Sequence, residues 1–238
     1  MGATGAVGRE LVQILEQRRF PVDRLVLLAS KRSAGSKMTF RGRSVPVQEL
    51  KQGSFKDIDI VLASAGGSVS KQFVPHAVKA GAVVVDNTSA YRMDPKVPLV
   101  VPEINAGDIS KHRGVIANPN CSTIIMLVPI YPIHRQNRIK RVIVSTYQAA
   151  SGAGAQAMRE LDTQSRDVLS GRSAKKQVFP HQIAFNVFSH NSAIRDGGYN
   201  EEEIKMMNET KKIFHDAKIG VTATTVRVPV FRAHTEAI

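Results

Sequence analysis

The run Gly2-Ala-Thr-Gly5-Ala-Val-Gly8 constrains this chain more than any other feature, because it passes straight into Arg9-Glu-Leu11-Val12-Gln-Ile14-Leu15, whose apolar residues recur at helical spacing. Glycines at the mouth of a helix let a ligand approach the backbone closely, while the first N–H groups and the helix dipole favour an anion there. In α/β folds such a loop follows a buried parallel strand and holds a dinucleotide pyrophosphate. Only Met1 precedes the loop, so the first strand of the sheet is expected to be missing.

The next apolar run, Leu25 to Ala29, reads as a strand closing on the turn Ser30-Lys-Arg32-Ser33-Ala-Gly35. In a nucleotide-binding half-sheet that turn meets the adenosine ribose. An acidic residue would select NAD, whereas Arg32 and Ser33 suit a 2′-phosphate and hence NADP; the competing reading is an ordinary basic surface turn. Strands over Ile58–Ser64 and Ala82–Val85 flank a helix over Val69–Ala80, an alternation that implies a parallel sheet. Beyond Cys121, a strand over Arg141–Gln148, a glycine turn at Ser151–Gly154, helices over Ala155–Leu169 and Asn200–His215, and a β-rich stretch from Val221 to Val230 are expected. The fold class is therefore α/β. A Rossmann-like dinucleotide-binding domain over 1–118, its first strand expected to be missing, precedes an α+β unit over 119–238.

Charge and cysteine content narrow the function. Lys and Arg number 33 against 20 Asp and Glu, a formal charge of +13. The basic residues are scattered and only 5% of residues are aromatic, so there is neither a basic stripe nor a stacking platform for nucleic acid. A small anionic ligand is the preferred partner. A single cysteine forms no internal disulfide, which points to a reducing compartment, the cytoplasm, or a plastid stroma in a photosynthetic eukaryote. No secretory leader is expected, and no apolar run approaches the ~18 residues of a membrane span.

That cysteine lies in Ala117-Asn-Pro-Asn120-Cys121-Ser-Thr-Ile-Ile125, after a polar turn and at the start of a plausible helix. A helix N-terminus favours a thiolate and offers N–H donors to a developing oxyanion; the alternative is a small buried hydrophobe. A thiol beside a dinucleotide site suggests thioester formation coupled to hydride transfer, which needs an acid/base, oxyanion donors and cations for anionic substrate groups. Glu202 and Lys205, at i and i+3 on one helix, either share a ligand or pair with each other. Arg227, a guanidinium in an apolar strand, needs an anion, and His234 follows in the same segment. No metal site is expected.

The motifs GATGAVG, VVDNTSAYRM, VPLVVPEIN, NPNCST, STYQAASGAG, AFNVFSHNS, NEEEIKMMNETKKI and VRVPVFRAH, in this order, resemble those of the aspartate-β-semialdehyde dehydrogenases. That family reduces aspartyl phosphate with NADPH to aspartate semialdehyde and phosphate, towards lysine, threonine, methionine and diaminopimelate. The resemblance implies that Cys121 is the nucleophile, that His234 is the acid/base, that Gln148 orients the thioester and that Asn120 helps hold the oxyanion. It implies that Arg227 binds the substrate α-carboxylate and Glu202 its ammonium, with Arg92 and Lys205 forming the phosphate pocket. For NADP it implies Thr4, Gly5, Ala6, Val7, Arg32, Ser33, Ser151, Gly152 and Arg159, and it implies a homodimer. The family also continues beyond the equivalent of Ile238. The nearest rival is N-acetyl-γ-glutamyl-phosphate reductase, against which the charged Glu202 argues; a non-catalytic nucleotide-binding fragment is the other.

One tension is internal to the sequence. Arg227 and His234 are an odd number of residues apart, which in a regular strand puts them on opposite faces and up to ~23 Å apart. A bulge or strand end between Pro229 and Ala233 is therefore expected, since proline cannot donate to a central ladder.

Overall fold

The computed structural model describes residues 1–238, which divide into two compact units, Met1–Pro119 and Asn120–Ile238. In the first, the glycine loop leads into α1 (Ala6–Gln17), followed by β1 (Leu27–Ala29), β2 (Lys37–Phe40), β3 (Arg43–Glu49), β4 (Ile60–Ala63), α2 (Gly67–Lys79), β5 (Val83–Asp86), α3 (Pro102–Asn105) and β6 (Val115–Ala117). Strands β4, β5 and β6 form a parallel sheet in that order. The β2–β3 hairpin, absent from the sequence reading, turns at Arg41 and Gly42, both with positive φ, and β3 pairs in parallel with β1.

Strands β1 and β4 do not pair with each other. Met1 to Ala3 lie between them instead: the Gly2 and Ala3 N–H groups donate to the Leu28 carbonyl, and the Met1 ammonium donates to the Leu62 carbonyl. The Met1 carbonyl accepts from the Ser64 N–H. Beside this short bridge is a groove of about 500 Å³ lined by Leu11, Val12, Leu15, Leu27, Val61 and their neighbours. Burial in it lowers the pKa of the Met1 amine to about 6. Gly8 is obligatory here, since a Cβ would sit 2.2 Å from the Gly2 carbonyl oxygen.

The second unit contains α4 (Cys121–Gln136), β7 (Arg141–Gln148), α5 (Ala155–Leu169), β8 (Phe188–Ser189), α6 (Glu201–Ile213), β9 (Gly220–Arg227) and β10 (Thr235–Ala237). Its sheet runs β10-β7-β9-β8, with β7 and β9 parallel in full register from Arg141↔Gly220 to Gln148↔Arg227. That register brings Gln148 and Arg227 level at the ends of adjacent strands. Along β7 the alternate residues Val142, Val144, Thr146 and Gln148 are buried, as a half-covered strand requires. Helix α5 anchors the irregular segment after it through polar side chains: Glu160 accepts from the N–H groups of Gln177, Val178 and Phe179, and Gln164 accepts from those of Ile183 and Ala184. No helix of the chain is long and apolar enough to cross a membrane.

Candidate active site

Cys121 is exposed and is the first residue of α4. The preceding residue fixes that helix start. The Asn120 side-chain oxygen accepts from the Thr123 N–H at 3.1 Å, an N-cap in which polar side chains excel. Two carboxylates of α6, two turns apart on one face, then hold Asn120 itself. Glu209 accepts its backbone N–H at 2.6 Å and Glu202 accepts its side-chain amide at 2.6 Å. Asn120 thus caps α4 and anchors its first turn.

Gln148 is buried at the end of β7, its amide nitrogen donating to the Ser122 hydroxyl at 3.0 Å and the Thr146 hydroxyl at 3.3 Å. Its carbonyl end is thereby turned away from those hydroxyls. Glu236, opposite Thr146 on β10, is half-buried with both carboxyl oxygens shut off from solvent, and neither meets a donor at full hydrogen-bond geometry. Burial raises its pKa to about 7, with the nearby Ser122 hydroxyl opposing the shift.

Glu202 and Lys205 do pair, at 3.2 Å. Burial alone would raise the Glu202 carboxyl, but the Lys205 charge, the neighbouring His190 and the hydrogen bonds from Asn120 and Lys205 outweigh it and hold the pKa below the ordinary value. Arg227 is 2% exposed and has no carboxylate partner. Its Nη1 donates to the Ala149 carbonyl at 2.8 Å, and its Nη2 meets His190 Nε2 at 2.9 Å and Asn191 Oδ1 at 3.1 Å. The Phe179 ring lies 5.5 Å beneath the guanidinium, and Nε has no hydrogen-bond partner. Burial lowers its pKa, against the charges of Glu202 and Cys121.

The seven-residue tension between Arg227 and His234 is resolved by the backbone. β9 ends at Arg227 itself, two residues before the expected window, and Ala233 takes a left-handed φ of 71° before β10 begins. His234 Nδ1 then accepts from the Ala149 N–H at 3.1 Å, which leaves the proton of the neutral imidazole on Nε2. Burial first, and the Arg227 charge second, lower its pKa. The two side chains converge: a Cβ added to Gly152 would lie 3.1 Å from both Arg227 Nη1 and His234 Nε2.

The structure gathers Asn120, Gln148, Gly152, Glu202, Lys205, Arg227 and His234 around this point in the second unit. Ser151 is tied by its N–H to the Phe231 carbonyl, and Arg159 is exposed on α5. Arg92 belongs to the first unit, where it is buried and donates to the carbonyls of Asn118 and Asn87 at 2.9 and 3.1 Å. There the glycine loop meets the basic turn, Thr4 Oγ1 donating to Ser33 Oγ at 3.2 Å, with Arg32 exposed beside it. Gly5 caps α1 without any side-chain acceptor, so the first N–H groups of the helix are open to an anion. These residues fit a dinucleotide. Sequence reading missed His190, Asn191 and Ser192, although they lie in a quoted motif, and Glu209, whose role depends on a chain separation of 89 residues.

Two family models match: the semialdehyde dehydrogenase NAD binding domain over residues 1–112 and the semialdehyde dehydrogenase dimerisation domain over 130–238. Among curated relatives, the aspartate-semialdehyde dehydrogenase of Synechocystis is 56% identical over all of this chain and 70% of its own length. That of Aquifex aeolicus is 55% identical over all of this chain and 71% of its own. Aspartate semialdehyde dehydrogenase II from Vibrio cholerae, solved also in complex with ASA, matches with a TM-score of 0.97 at 48% identity over 99% of this chain and, for the complex, 70% of its own. The Candida albicans enzyme, solved with NADP, matches at 0.70 and 27% identity over 99% of this chain and 68% of its own.

Proposed function

The chain belongs to the aspartate-semialdehyde dehydrogenase family and is an oxidoreductase, and on that premise we propose that it reduces L-4-aspartyl phosphate to L-aspartate 4-semialdehyde through a thioester on Cys121. The observation that carries this reading is the convergence of Arg227 Nη1 and His234 Nε2 beside Gly152, in the unit whose α4 opens with the exposed thiol.

The Cys121 thiolate attacks the acyl carbon, forming the C–S bond while the C–O bond to phosphate breaks and phosphate leaves. Backbone N–H groups at the start of α4 face the oxyanion, and the Gln148 amide, fixed by Ser122 and Thr146, orients the acyl group. Arg227 binds the α-carboxylate and Glu202 the ammonium, so each substrate charge meets its opposite; Lys205 and Arg92 serve the phosphate. NADPH, when bound, supplies the hydride that converts the thioester to a thiohemiacetal. His234 lends the Nε2 proton to the oxyanion and takes it back from the hydroxyl as the C–S bond breaks, releasing the aldehyde and the thiolate.

The coenzyme is NADP, held by Thr4 to Val7 on the open N–H groups of α1 and by Arg32 with Ser33 at the 2′-phosphate, and Ser151, Gly152 and Arg159 complete the site. The enzyme works as a cytoplasmic homodimer in the supply of lysine, threonine, methionine and diaminopimelate. Support for self-association comes from the outward face of β7, where Ile143 and Tyr147 stand 56% and 44% exposed. The test is an assay with aspartate semialdehyde, phosphate and NADP. Wild type turns over and Cys121→Ala does not; an active Cys121→Ala protein overturns the thioester route.

A further inference from the structure

Buried guanidinium groups are usually met by carboxylates, yet every partner of Arg227 is neutral: the Ala149 carbonyl, the Asn191 amide oxygen and the His190 imidazole. Guanidinium nitrogens only donate, so His190 Nε2 accepts. The other ring nitrogen, Nδ1, faces the Ser192 hydroxyl at 3.0 Å and the Ser192 N–H at 3.2 Å, and Ser192 Oγ in turn accepts the Glu202 N–H at 3.2 Å. The short run His190-Asn191-Ser192 therefore grips both β9, through Arg227, and the first turn of α6, which carries Glu202. His190 also faces Glu202 and Lys205 from α6 and His234 from the turn before β10.

We propose that His190 and Asn191 are positioning residues that orient Arg227 with neutral acceptors, so that the buried cation keeps its whole charge for the substrate α-carboxylate. A carboxylate in either place would hold the side chain equally well but neutralise it, and the substrate would then have to displace an internal ion pair. The unpaired Nε of Arg227 agrees with a guanidinium kept for a ligand. The inference rests on Arg227 as the carboxylate site, and the experiment separates the two.

Steady-state kinetics are measured with aspartate semialdehyde and with 3-aminopropanal, which keeps the ammonium and the aldehyde and lacks the α-carboxylate. For Arg227→Lys, His190→Ala and Asn191→Asp, KM for aspartate semialdehyde rises about tenfold or more while kcat changes less than about threefold. The wild-type preference for aspartate semialdehyde over 3-aminopropanal collapses in all three. His190→Gln, with a neutral acceptor restored, recovers most of the preference. Asn191 is exposed, so Asn191→Asp folds and its melting temperature is at least that of wild type even if His190→Ala is destabilised. If Arg227→Lys loses the preference but a folded Asn191→Asp retains it, the neutral-acceptor role is wrong. If Arg227→Lys itself retains the preference, the carboxylate assignment of Arg227 fails instead.

Discussion

The Glu209 carboxylate lies 2.6 Å from the backbone nitrogen of Asn120, so a buried anion on α6 grips the peptide immediately before the thiol of α4. Removing the anion leaves a buried N–H without an acceptor and a space beside fully buried Met206. Glu209→Ala is therefore expected to cost about 2–4 kcal/mol in denaturant unfolding, whereas Glu209→Gln, which still accepts, costs less than about half of that. Equal losses in the two variants would show that the contact contributes nothing beyond volume.

Gly152 leaves open the space in which Arg227 and His234 meet. Alanine there puts a methyl 3.1 Å from a nitrogen of each, closer than either tolerates without moving. Gly152 is exposed and takes no left-handed φ, so Gly152→Ala keeps its melting temperature within a few degrees while kcat/KM falls about 100-fold. A variant as active as wild type would place the reaction elsewhere.

Two buried groups give stability opposite pH slopes. The Met1 amine is lowered to about 6 from 8.0, so between these values the unfolded chain binds more protons and stability rises with pH, by at most ~3 kcal/mol. Glu236 is raised to about 7 from 4.5, so over that window the folded state binds more protons and stability falls as pH rises. Acetylating the amino terminus should abolish the first slope and Glu236→Gln the second, each read by thermal melts at stepped pH. Extending the chain ahead of Met1 by about four apolar residues, enough for one strand, should fill the groove between β1 and β4 and raise the melting temperature.

Coenzyme choice is expected to rest on Arg32. Arg32→Glu places a carboxylate against a 2′-phosphate and offers one to a free 2′-hydroxyl, so the NADP-to-NAD ratio of kcat/KM falls by about 100-fold or more. An unchanged ratio would assign the basic turn to the surface.

Much of the fold is legible in the sequence because period and punctuation are local. The limits of β7 and α5 are read directly, and α6 lies one or two residues inside its expected span. The β2–β3 hairpin escapes because its turn is Arg41-Gly42 and not the Asn-Gly or Asp-Gly pair that announces such turns. The thiol, Asn120 beside it and the charged groups of the second unit could be proposed from residue type and motif order. What holds them could not. Glu209, His190 and Asn191 act across strand and helix boundaries far apart in the chain, and a carboxylate in a helix of mixed polarity looks the same whether it faces solvent or a buried amide.

Ala149 carries a further lesson. Its N–H meets His234 and its carbonyl meets Arg227, so one peptide unit aims both side chains. Apart from proline, which removes the N–H, no replacement at position 149 deletes either contact, and alanine scanning is blind to the residue by definition. The aim of two reactive groups is thus written in main-chain atoms, where side-chain exchange has little purchase and backbone changes, a proline that removes the N–H or an amide-to-ester exchange, would reveal it.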